Sequence, residues 1–119
     1  MYNVIRYIPL IGSNWIGRRG NELIVSFADK GTEDLFNGED TRQARRTLAR
    51  ELWRVGGRKL DMLNAATSLN DLRFPPGNRL EALRGDRKGQ HSVRINDQYR
   101  VCFRWTDNGP DEVEITDYH

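Results

Sequence analysis

The chain ends in Asp117, Tyr118 and His119, a carboxylate, a phenol and an imidazole in succession, and His119 is one of only two histidines. Imidazole is the side chain whose ordinary pKa lies closest to neutrality, so it can accept or donate a proton under physiological conditions. Elsewhere the basic residues are nearly all arginine, 16 of 19. A planar guanidinium donates two parallel hydrogen bonds to an oxyanion, which suits it to phosphate or carboxylate. Together these groups match one reaction, the cleavage of RNA by its own 2'-hydroxyl. That chemistry requires a group to take the hydroxyl proton, a group to protonate the departing 5'-oxygen, and cations to offset the charge on a phosphorane-like species; it requires no metal. A tyrosine beside them can stack on a base or orient a phosphate. The plainer alternative is a frayed and inert terminus.

Other chemistries have weaker support. His91, His119 and Cys102 lack HExxH or CxxC spacing and the carboxylates are scattered, so no metal site or cofactor is expected. Cys102, the lone cysteine, cannot form an internal disulfide, and its setting YRVCFRW is that of a strand rather than of a reactive thiol. Ser92 follows His91 directly, so on a strand the two point to opposite sides and cannot act as a nucleophile and its base. GDRKG lacks the spacing of a phosphate-binding loop. No apolar run is long enough for a membrane span or a signal peptide, since Arg6, Pro9 and Gly12 interrupt the first residues. A cytoplasmic location is expected.

The elements that must position the arginines and the terminal triplet follow from periodicity. At 119 residues the chain has room for one domain. Residues 1–22 show no clear period and are read as an extension, with ordered structure expected from Leu23. LIVSF is a β-rich strand, and ADKGTEDLFNG is a short helix with Asp29 as N-cap and Gly38 as stop. From Thr41, apolar residues at Ala44, Leu48, Leu52, Val55, Leu60, Leu63 and Ala66 recur at helical spacing. A bend or break is expected at Gly56 and Gly57, because each glycine costs about 1 kcal/mol in a helix interior. FPPGN is a rigid turn. Beyond it the period becomes two: QHSVRIN and YRVCFRW flank a turn at Asn96 to Gln98, and EVEITDY follows TDNGPD, with a further short strand over Leu80 to Leu83. The class is α+β.

Alternation places Val93, Ile95, Val101, Phe103, Trp105, Val113 and Ile115 on one face of the sheet, under the helices. The opposite face then carries Ser92, Arg94, Asn96, Arg100, Cys102, Arg104, Glu114, Thr116 and Tyr118. It reads either as the wet side common in antiparallel sheets or as a surface for a phosphate backbone and a stacked base. Charge is segregated along the chain: residues 41–60 hold seven basic groups and one acidic, residues 73–104 eight and three, and residues 105–119 none and five.

In its motifs LNAAxxLxDL, FPPGNRLExLxGDRxGQxSxRINDQxR and VEIxDYH, the chain from about Leu23 onward resembles the HigB toxins, the plasmid maintenance system killer branch of the RelE/ParE superfamily. The resemblance implies a RelE-like fold, a mainly antiparallel sheet of three to five strands with two or three N-terminal helices on one face. It implies a toxin domain over residues 23–119. Family members begin with methionine at the position of Leu23, so residues 1–22 are expected to lie upstream of the native start. It further implies a type II toxin that cleaves mRNA in the decoding site of the small ribosomal subunit without a metal. Its partner would be a HigA-like antitoxin with a helix-turn-helix domain, through which alone the complex would meet operator DNA; no membrane is involved. The motif matches give Asp117, Tyr118 and His119 as the active-site ending, Arg100 as the phosphate-binding arginine, and Arg84 at the lysine or arginine position of the LxGDR block. Arg94, Arg104, Arg79, Arg87 and Lys88 are the expected RNA contacts. Glu81 departs from the histidine of the best-known form, and it can act as the base or simply pair with Arg79 or Arg84. Two other functions stay open at this point: a non-catalytic inhibitor of a protein target such as gyrase, as in the ParE branch, and an RNA-binding module without turnover. The basic stretch Arg42 to Lys59 can face either ribosomal RNA or the antitoxin.

Overall fold

In the computed structural model, residues 4–5 and 23–117 are described. Among the described residues six strands form one sheet in the order β1-β2-β6-β5-β4-β3. They are β1 (Val4–Ile5), β2 (Ser26–Phe27), β3 (Glu81–Ala82), β4 (His91–Arg94), β5 (Arg100–Thr106) and β6 (Gly109–Thr116). All neighbouring pairs are antiparallel except β2 and β6, which run parallel with Phe27 opposite Val113. Five of these strands lie in the segment where a RelE-like sheet was expected. The sixth, β1, falls within residues 1–22 and pairs antiparallel with β2 at the edge of the sheet.

Three helices cover one face: α1 (Lys30–Phe36), α2 (Arg42–Thr47) and α3 (Trp53–Ala65). The start of α1 is capped as its sequence requires, with the Asp29 carboxylate accepting the N–H of Thr32 at 2.6 Å, and Gly38 follows its end at φ 74°. Thr41 caps α2 by accepting the Ala44 N–H at 3.1 Å, and its hydroxyl donates to the buried Asp34 of α1 at 2.6 Å. One polar chain thereby ties the two short helices together. Gly31 lies where they meet: a Cβ there would stand 1.9 Å from Thr47 Oγ1 and 2.6 Å from the Gln43 carbonyl.

The break expected at Gly56 and Gly57 lies elsewhere. The helical path leaves at Leu48, which is extended at φ −152°, passes through a 3-10 turn over Arg50–Leu52, and then runs unbroken through both glycines. Packing overrides propensity here. Gly56 is buried, and a Cβ would lie 2.7 Å from Leu48 and just under 4 Å from Ile95 and Ile115, so the missing side chain lets α3 lie close on the sheet. At the break itself, the Trp53 indole N–H satisfies the Leu48 carbonyl at 2.7 Å.

The apolar face of the sheet is as its alternation indicates. Val93, Ile95, Val101, Phe103, Val113 and Ile115 are buried together with Ile24, Phe27, Leu48, Leu60, Leu63 and Leu72, and Trp105 packs at the margin. The FPPGN turn is pinned by Asn78, which is fully buried, donates to the carbonyls of Leu72 and Phe74, and accepts from Lys59 Nζ at 2.6 Å. Among the described residues no helix is long and apolar enough to cross a membrane.

The two glycines with opposite surroundings give a direct test. Gly31→Ala should destabilise by about 2 kcal/mol through overpacking against a backbone carbonyl. Gly57→Ala, with nothing within 4 Å of its Cβ, should stabilise by up to about 1 kcal/mol. Urea denaturation of the two variants measures both.

Candidate active site

On the face away from the helices, register sets side chains in rows. Glu81, Ser92, Cys102 and Glu114 stand opposite one another across β3, β4, β5 and β6, and the next row holds Arg94, Arg100 and Thr116. Arg100 reaches diagonally to the first row, where Nη1 donates to Ser92 Oγ at 3.1 Å and stands 3.3 Å from Glu81 Oε1. Two residues singled out by sequence are therefore brought together, and Glu81 pairs with Arg100 rather than with Arg79 or Arg84.

This face is not the open wet surface that alternation suggests. Ser92 and Cys102 are both completely buried. The connection from β3 to β4 folds over them, because Gly85 and Gly89 take left-handed conformations (φ 63° and 94°) that let residues 85–90 curl back onto the sheet. Arg87 Nη1 donates from this loop to Glu114 and to Gln90, each at 3.1 Å. Gly89 lies against the Arg104 guanidinium, where a Cβ would meet Nη1 at 2.6 Å, and Arg104 in turn donates to Glu112 at 3.1 Å. Glu112 has φ 52° and marks a bulge between the pairs Cys102–Glu114 and Arg104–Asp111. Arg87 and Arg104, expected as RNA contacts, are here paired with Glu114 and Glu112. A cavity of about 280 Å³ beside them is lined by Ala28, Gln90, Glu112 and Glu114, walls that offer an anion little attraction.

Burial, opposed by Arg87 and Arg100 and reinforced by Glu114 and Glu81, pushes the Cys102 thiol up to about 11. It is an inert packing group. Burial likewise raises the Asp29 carboxyl, an effect that the Thr32 hydrogen bonds offset in part and Glu114 augments.

The remaining cations differ in availability. Arg84, Arg79 and Lys88 are exposed and make no ion pair among the described residues. Arg79 sits at φ 47°, projecting from the left-handed end of the FPPGN turn. Arg94 pairs with Asp97 in the turn between β4 and β5, and this bond is the main reason that the Asp97 carboxyl lies below the usual range. Lys59 has its ammonium pKa lowered by burial, with Arg58 and Arg94 adding to the effect.

Strand β6 ends at Thr116, opposite Arg100, so the terminal triplet starts one residue beyond the arginine-bearing row. Asp117 is exposed, and its Oδ2 accepts a 2.8 Å hydrogen bond from Gln98 Nε2. Tyr118 and His119 lie outside the described residues. Sequence reasoning placed Ser92 and Glu114 on this face and Gln98 in the turn but did not give their contacts. Polar residues of these types are ordinary on a strand or a turn, and only the cross-strand register shows what they touch.

A family model described as the RelE-like toxin of the type II toxin-antitoxin system HigB matches residues 25–119. Toxin HigB-1 of Vibrio cholerae is 41% identical over 85 residues, which span 71% of this chain and 86% of that protein. An uncharacterized protein of Haemophilus influenzae is 44% identical over 57 residues, 48% of this chain and 56% of its own.

The thiol offers a check on the covered face. In the unfolded chain Cys102 ionises near its ordinary 9.0 and in the folded chain near 11, so its contribution to stability is intact below pH 9 and is lost as pH rises toward 11. Cys102→Ala should flatten that part of the stability profile. A thiol reagent at pH 8 should label the native wild type only at its unfolding rate.

Proposed function

Since the chain belongs to the HigB-like family of RelE-like toxins from type II toxin-antitoxin systems, we propose that it is a ribosome-dependent endoribonuclease that cuts mRNA and thereby halts translation. The observation that carries this reading is the position of Arg100, in register with Thr116 and so beside the start of the Asp117-Tyr118-His119 ending. The proposed cation for the scissile phosphate thus stands in register with the last paired residue before Asp117.

In this reading the substrate's own 2'-hydroxyl gives up its proton and attacks the adjacent phosphorus, the P–O5' bond breaks, the departing 5'-oxygen takes up a proton, and a 2',3'-cyclic phosphate and a 5'-hydroxyl remain. His119 serves as general acid or base, Asp117 sets the orientation of the imidazole, and Tyr118 packs on a base. Arg100 holds the phosphate. Its guanidinium is already occupied by Glu81, a contact in which the glutamate side chain is 53% exposed and the arginine 22%. A pair so open to solvent is worth about 1 kcal/mol at most, so a phosphate accepting two hydrogen bonds can displace the carboxylate. Glu81 then acts as a placeholder that keeps the arginine extended before RNA arrives. Arg84, exposed at the head of the covering loop, completes the phosphate grip, and Arg79, Arg94 and Lys88 guide the flanking backbone.

Free RNA should be a poor substrate, because the single described histidine, His91, is turned to the helix side, where it stacks on Phe103. The ribosome would supply both the geometry of the mRNA and much of its positioning. The protein would act in the cytoplasm and be held inactive by a HigA-like antitoxin.

Primer extension on actively translated mRNA tests the proposal. Position-specific cuts are expected with the wild type, and His119→Ala and Arg100→Ala should each reduce cleavage by roughly 10²-fold or more. Intact message with accumulating DNA breaks would point instead to a ParE-like inhibitor, and undiminished cutting by His119→Ala would remove the assigned acid–base group.

A further inference from the structure

We infer that the FPPGN turn is a docking point for an unstacked nucleotide of RNA, the Phe74 ring stacking on the base while Arg73 and Arg79 hold the phosphates beside it. This role rests on the reading above only in taking RNA as the partner. Phe74 is the one large apolar side chain left exposed among the described residues, at 66%. Pro75, Pro76 and Gly77, which follow it, are exposed as well. A phenyl ring so placed adds little to the core, but it offers a flat face on which any base can stack.

The turn gives this ring a fixed base. Buried Asn78 donates its side-chain N–H groups to the carbonyls of Leu72 and Phe74 at 3.1 and 3.2 Å, and its backbone N–H to the Pro75 carbonyl at 2.9 Å. From α3, Lys59 Nζ secures the Asn78 side chain at 2.6 Å. A ring carried on so well tied a backbone loses little freedom on binding.

The surroundings are cationic. Arg73 precedes the ring, its guanidinium steadied by donation from Nε to Asn70 at 2.9 Å. Arg79 closes the turn at φ 47°, a left-handed conformation that costs an arginine free energy glycine would not lose. Such a position keeps its guanidinium at the expense of backbone strain, which points to a use for the side chain. Lys59 lies within electrostatic reach of Arg58 and Arg94, which add to the lowering of its ammonium pKa by burial. Nearby carboxylates are engaged: Asp71 accepts the N–H groups of Thr67 and Ser68, and Asp97 pairs with Arg94. An exposed ring flanked by guanidinium groups matches the alternation of base and phosphate in an unpaired strand.

The test measures binding of the full chain to vacant small ribosomal subunits, and to the same subunits carrying message, for the wild type, Phe74→Ala, Phe74→Trp and Arg79→Gly. Phe74→Ala should weaken binding about tenfold, and Phe74→Trp should preserve it. A loss already present with vacant subunits identifies the nucleotide as ribosomal, and a loss confined to loaded subunits identifies it as mRNA; either supports the docking role. Arg79→Gly should bind more weakly, with a salt slope smaller by about one, while melting no lower than the wild type. Unchanged affinity of Phe74→Ala for both forms, an equal loss in Phe74→Trp, or a loss seen only toward a co-expressed antitoxin would each overturn the inference. Position-specific cutting by the wild type together with undiminished binding by Phe74→Ala would overturn this role alone. Absence of cutting by a wild type whose affinity still depends on Phe74 would overturn the nuclease reading alone.

Discussion

The register of β6 on β5 governs both faces of this molecule at once. With Val101 opposite Ile115 and Arg100 opposite Thr116, one row of residues enters the core under α3 while the next stands beside the site. A slip of a single residue would exchange them, turning Arg100 toward the helices and Val101 outward. Burying an unpaired guanidinium costs several kcal/mol, so the core strongly enforces the arrangement that the proposed site needs. The bond from the Ile115 N–H to Thr32 Oγ1 and the close approach of α3 at Gly56 reinforce it from the helical side.

Electrostatics on the other face depend on that same register. The bulge at Glu112 lets two carboxylates of β6 meet two arginines, Glu112 with Arg104 and Glu114 with Arg87, and these pairs clamp the 85–90 loop over Ser92 and Cys102. Much of the apparent arginine surface is thereby neutralised within the fold. For the proposed phosphate grip this leaves Arg100 with its exposed glutamate, Arg94 beside its turn, and the exposed Arg84, Arg79 and Lys88. An arginine-rich count alone would have overstated the binding surface.

Much of the fold was legible in the sequence because its signals are local. Alternation at Val93, Ile95, Val101, Phe103, Val113 and Ile115 identified the buried face, and Asp29 and Gly38 bracketed α1. The break between α2 and α3 was misplaced because Gly56 serves a tertiary contact that propensity cannot register. The parallel pairing of β2 with β6 and the edge strand β1 left no local trace. Similarly, Ser92 and Cys102 were read as solvated because nothing in a strand pattern announces a loop folding over it. For the proposed site, Arg100 and the terminal triplet were suggested mainly by the family motifs, since the chemistry of the residues alone left an inert terminus open. The pairing of Arg100 with Glu81 and the contact of Gln98 with Asp117 required coordinates, as residues far apart in the chain meet only through strand register.

The nuclease proposal requires His119 to act on a phosphate that Arg100 holds. Nuclear Overhauser contacts of the His119 ring protons in the intact protein measure this most directly. The account predicts cross-peaks to the side chains of Arg100 and Gln98. Cross-peaks to core residues such as Ile95 or Leu60, or random-coil shifts without long-range contacts, would contradict it.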